Sequence, residues 1–147
     1  MDDDQREIVK ALRTSQDKYV YFLLAAAGAG IGLAVNLTQD EKLMFSHIPL
    51  AATVLSWGVS FFFGGRHLAY VSATLYANAE LFRVQQGQHP EVGAHPQMMD
   101  AAVRGIEQAI EHNSERANRF AHWQFRFLIA GAVLFVLWHV LEMYLRQ

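Results

Sequence analysis

Three long apolar runs, residues 18–37, 47–65 and 123–145, restrict what this chain can fold into more than any motif in it. An α-helix rises 1.5 Å per residue, so about 20 apolar residues cross the ~30 Å hydrocarbon core of a bilayer. Each run reaches or approaches that length. The first has no charged side chain after Lys18; the third keeps Arg126 near one end and His139 and Glu142 near the other, where polar tips reach the headgroups. Tyr19, Tyr21 and Trp123 at one interface, with Trp138 and Tyr144 at the other, read as an aromatic belt. The expected fold class is an all-α membrane protein: three transmembrane helices, with a long cytoplasmic helical hairpin between the second and third.

Lysine and arginine accumulate on the cytoplasmic side of membrane proteins. Here Arg6, Lys10, Arg13 and Lys18 open the chain, Lys42 alone lies in the next connection, six arginines run from Arg66 to Arg126, and Arg146 alone closes it. That alternation predicts a multi-pass protein of the cell inner membrane, N-terminus cytoplasmic and C-terminus outside. The acidic start and the absence of a clear A-x-A cleavage site argue that the first run is a retained span and no signal peptide.

The 147 residues carry a net charge of −2 and no cysteine. A near-neutral balance without a polybasic tract predicts no nucleic-acid partner, and the lack of cysteine excludes disulfides, thiol catalysis and thiolate metal sites. The expected segments are an amphipathic helix over 1–17, the spans at 18–37, 47–65 and 123–145, a short external loop at 38–46, and a hairpin over 66–122 that turns at 87–97.

Residues 66–86 contain no Pro or Gly, and Leu68, Val71, Leu75 and Phe82 recur at helical spacing. This arm is expected to continue the second span as one helix, starting from Ser46 as N-cap with Pro49 tolerated in the first turn. Gly87, Pro90, Gly93 and Pro96 mark the turn. Met99, Val103, Ile106, Ile110, Ala117 and Phe120 then define a second arm leading into the third span. The expected seam sets Leu68, Val71, Leu75 and Phe82 against Met99, Val103, Ile106 and Ile110. A second stripe, Tyr70, Ala73, Ala77, Leu81 and Val84, gives the first arm more apolar circumference than a two-helix hairpin covers. Ile8, Val9 and Leu12 of the N-terminal helix are candidates to cover part of it. The remainder predicts a homo-oligomer, so the expected partners are other copies of the chain, membrane lipids and a cytoplasmic protein.

Within the spans, Ala25, Gly28, Ala29 and Gly32 form a small-residue face suited to close helix–helix contact. Thr53, Ser56, Ser60 and Gly64 form a stripe on the second span. Two readings of this stripe compete. It packs on the small face of the first span, its hydroxyls bonded back to their own helix; or, joined at its ends by Asn36 and His67, it lines a water path between subunits.

No Asp, Glu, Lys or Arg lies near the middle of a span and the spans are not duplicated, which argues against a proton relay or a carrier. His89, Glu91 and His95 read as a solvated turn and His139 with Glu142 as an interfacial pair, so no metal or cofactor is expected. Arg116 and His122 have the spacing found in HEPN-type helical ribonucleases but lack the polar residue that usually follows the Arg; no catalytic residue is expected and the chain reads as a non-enzyme. In architecture alone it resembles small bacterial membrane proteins that assemble into rings, among them membrane effectors of antiviral defence systems. The leading expectation is a homo-oligomeric channel or pore with a cytoplasmic helical vestibule. The competing one is a non-conducting scaffold or accessory subunit whose hairpin recruits a partner.

Overall fold

The apolar runs and the breaker-free stretches beside them fuse into three helices. The computed structural model describes residues 3–39, 47–93 and 95–145, and in it the chain forms α1 (Asp3–Leu37), α2 (Ile48–Gln85) and α3 (Pro96–Leu145). They are 35, 38 and 50 residues long, and each is long and apolar enough to cross a membrane. The Ser46 cap, most of the 38–46 connection and the side chains of Ile8, Val9 and Leu12 lie outside the described residues.

Gly64 and Gly65 do not interrupt α2. A glycine within a helix costs only about 1 kcal/mol, whereas a broken helix in lipid leaves backbone polar groups with nothing to bond. The break comes where a left-handed residue is available. Gly87, at φ 67°, ends α2 in a Schellman motif: its N–H donates to the Val84 carbonyl and that of Gln88 to the Arg83 carbonyl, each at 2.9 Å. The Met99 N–H donates to the His95 carbonyl at 2.9 Å, and Pro96 takes the first helical position, where its missing N–H costs nothing. The connection closes earlier at its far end than the expected 87–97, because α3 opens at Pro96.

The chain divides into two units, Met1–Gly64 with His122–Gln147, and Gly65–Ala121. The first is built around Trp57, whose indole fills a slot between α1 and α3: a methyl group added at Gly30 would lie 2.7 Å from its ring, and one at Gly131 2.5 Å. Ala27, Ala34, Leu50 and Trp138 complete this core, flanked by Ile31, Val54, Leu128 and Phe135. The rings of Trp57, Phe135 and Trp138 follow one another at 5.7 Å. Trp138 thus leaves the aromatic belt expected for it: one helical turn beyond Phe135, it shares the inward face, while Trp123 and Tyr144 stay exposed. Phe22, Leu55, Phe62, Val136 and Val140 point outward. Only 22, 33 and 11 per cent of the most apolar stretches of α1, α2 and α3 are buried. A bundle in water turns such residues inward; outward-facing apolar side chains of this kind suit three helices long and apolar enough to cross a membrane.

The second unit is a two-helix hairpin. On α3 the half-buried positions include Met99, Val103, Ile106 and Ile110, with Ala117 buried. On α2 they include Leu68, Val71, Thr74, Ala77 and Leu81, with Val84 fully buried. Leu75 and Phe82, expected in the seam, are 49 and 63 per cent exposed. The inward face takes Leu68 and Val71 from the expected seam and Ala77, Leu81 and Val84 from the second stripe, while Ala73 is exposed. The two stripes lie side by side on α2, and periodicity alone does not say where between them the inward face falls.

Candidate functional site

The polar residues of the second span converge on α3. Ser56 Oγ donates to the Phe127 carbonyl at 2.8 Å, Trp57 Nε1 to the Leu128 carbonyl at 3.2 Å, and Ser60 Oγ to the Gln124 carbonyl at 2.8 Å. From Ser56 to Ser60 on α2 the acceptor moves back from Phe127 to Gln124 on α3, so the helices run antiparallel here. The bonds form because a helical carbonyl keeps a second lone pair after its own i+4 bond, and a serine hydroxyl buried between helices has few other acceptors. Thr53 takes the alternative and donates to the Pro49 carbonyl of its own helix at 3.0 Å. Thr53 and Ser60 are fully buried and Ser56 nearly so. Ser56 and Ser60 therefore pack on α3 and not on the small face of α1, and Gly64 lies between Gln124 of α3 and Leu24 of α1.

Gln124 is the residue that sequence reasoning passed over. Its side chain is fully buried, and neither its amide nitrogen nor its oxygen has a hydrogen-bond partner among the described residues. Gly64 leaves room for it: a methyl there would lie 2.6 Å from Gln124 Nε2 and from Leu24 Cδ2. The available signal was its spacing, since Gln124, Leu128 and Gly131 fall on one face of α3.

The small face of α1 is also placed differently from expectation. Ala25, Gly28, Ala29 and Gly32 are exposed, and a methyl at Gly28 or Gly32 would meet nothing within 4 Å. The buried face of α1 is instead Val20, Leu23, Ala27 and Ala34, with Gly30 against Trp57. Asn36 is exposed on α1. His67 belongs to the hairpin unit, where its Nδ1 lies 2.8 Å from the Ala117 carbonyl. Where α1 ends and α2 begins, an apolar cavity of about 480 Å³ is lined by residues including Val35, Leu50, Val54 and Leu55, with Thr38 and His47 as its polar members.

In the last turns of α2, Glu80 pairs with Arg83 at 2.8 Å and lies 3.6 Å from Nε2 of His89 in the turn, whose Nδ1 accepts the Glu91 N–H at 3.2 Å. Both nitrogens of that ring are thereby engaged in bracing the turn. Among the described residues no three His, Cys, Asp or Glu side chains converge as metal ligands. Compared with known proteins, the chain matches no family model, no curated protein and no solved structure.

Proposed function

We propose that this three-span membrane protein is a self-associating, non-conducting scaffold whose Gly65–Ala121 hairpin recruits a protein partner. One observation carries the reading: the hydroxyls that would line a water path are bonded within the chain. Ser56, Trp57 and Ser60 donate to α3, and Thr53 to its own helix. The hairpin meanwhile exposes Leu75, Tyr76 and Phe82, apolar surface of the kind protein contacts use. The small face of α1, open at Gly28 and Gly32, supports self-association in lipid. The alternation of Lys and Arg supports an inner-membrane placement with the hairpin and N-terminus cytoplasmic. A pore lined by Thr53, Ser56 and Ser60 would require α2 to turn this stripe away from α3.

Two measurements on purified protein separate these readings. Planar-bilayer recording is expected to show no unitary conductance, and isolation in mild detergent is expected to retain oligomers with a stoichiometric second protein, lost on Leu75→Ser with Phe82→Ser. Reproducible single-channel currents abolished by Ser56→Leu and Ser60→Leu would overturn the scaffold and restore the pore.

A further inference from the structure

Two arginines 50 residues apart in sequence meet on one tyrosine in the hairpin unit. Arg66 Nη2 donates to the Tyr70 hydroxyl at 3.1 Å and Arg116 Nη1 donates to it at 3.0 Å. The rings hold the guanidiniums in place: Tyr70 stacks on Phe120 at 5.5 Å and 11°, Arg66 lies 5.2 Å from the first ring and 5.8 Å from the second, and Arg116 lies 5.7 Å from Tyr70.

The hydrogen-bond inventory of this cluster does not balance. A phenol oxygen has two lone pairs and one hydrogen, and the two arginines use both lone pairs, leaving the hydrogen to donate. Neither arginine has a carboxylate partner among the described residues. Two exposed like charges are thus held side by side with donors to spare and no carboxylate beside them among the described residues. What completes such a group is an anion with several acceptor oxygens, and two forked guanidiniums match a phosphate. Position narrows the source. Arg66 is the first charged residue after the apolar run that ends at Gly65, which sets it at headgroup depth.

We infer that Arg66, Tyr70 and Arg116 form a phosphate-binding site occupied by the headgroup of an anionic phospholipid. The lipid source rests on the membrane placement; the phosphate chemistry does not. The site anchors the hairpin at the leaflet next to it and makes its stability depend on lipid charge. The Arg116 bond to the hydroxyl, with Arg66 beside it, already holds the Tyr70 phenol below its ordinary value. A bound phosphate offsets that positive charge and raises the phenol value again.

The test uses full-length protein in nanodiscs of phosphatidylcholine, with or without phosphatidylglycerol, and in detergent with inorganic phosphate. Two readouts apply: phospholipid retained in native mass spectrometry, and the Tyr70 phenol titration followed by ¹³C-tyrosine NMR, assigned with Tyr70→Phe. Phosphatidylglycerol is expected to be retained selectively and to raise the Tyr70 value, with affinity falling about tenfold in Arg66→Gln and again in Arg116→Gln. Arg83→Gln, a hairpin arginine already paired with Glu80, is expected to change neither readout. Equal retention in wild type and the double variant overturns the site. A shift with inorganic phosphate and none with phosphatidylglycerol overturns the lipid as its source. Protein that stays soluble without detergent overturns the membrane placement itself.

Discussion

Gln124 shows how a single side chain can work against the packing around it. A buried amide with no partner costs about 1–3 kcal/mol, and Ser60 binds the backbone carbonyl of this residue, which any substitution keeps. Gln124→Met, similar in volume, is therefore expected to stabilise the protein by about 1–3 kcal/mol, read as a shift of the unfolding midpoint in an SDS titration. An unchanged or lower midpoint would mean that the amide finds a partner in the membrane. Tyr70 offers a second reading at this scale. Its phenol is depressed, first by the Arg116 hydrogen bond, so its ionised form favours the fold only as pH rises through the folded value, and this contribution is lost as pH falls back through it. In an alkaline titration followed at the Tyr70 ring, Tyr70 is expected to ionise at lower pH in the wild type than in Arg116→Gln; identical titration in the two would refute the contact.

At the scale of the element, glycines that look alike in sequence differ in what they meet. Gly30 and Gly131 face Trp57, whereas Gly28 and Gly32 face open space. Gly30→Ala and Gly131→Ala are expected to destabilise the monomer by about 1–3 kcal/mol through displacement of the indole. Gly28→Ala and Gly32→Ala are expected to leave monomer stability within about 0.5 kcal/mol while weakening self-association. Chemical unfolding in micelles, paired with cross-linking in bilayers, distinguishes the two sets; equal losses from all four would refute the assignment of faces. The helices themselves were legible, because long apolar runs without breakers leave few other structures in lipid. Their orientation about their own axes was not. The face carrying Leu75 and Phe82 and the face carrying Thr74 and Val84 have the same period, and choosing between them requires the shape of the opposing helix.

For the whole molecule, the absence of cysteine makes topology directly measurable. Single-cysteine variants Asp4→Cys and Gln147→Cys are expected to react differently with a membrane-impermeant maleimide in intact cells, Gln147→Cys labelling and Asp4→Cys protected until lysis. Labelling of both, or of neither, would refute an odd number of crossings. Three helices able to cross a membrane follow from the sequence by itself, because the hydrophobic thickness of a bilayer sets a length that apolar runs meet or miss. So do the turn between α2 and α3 and the charge alternation, which are local in the chain. Only the tertiary structure decided that the serine stripe is closed by α3, that Trp57 occupies the slot between Gly30 and Gly131, and that Arg66 meets Arg116 on Tyr70. Each of these depends on which side chains fit across an interface, and that complementarity is a property of facing surfaces which no periodicity along one helix contains.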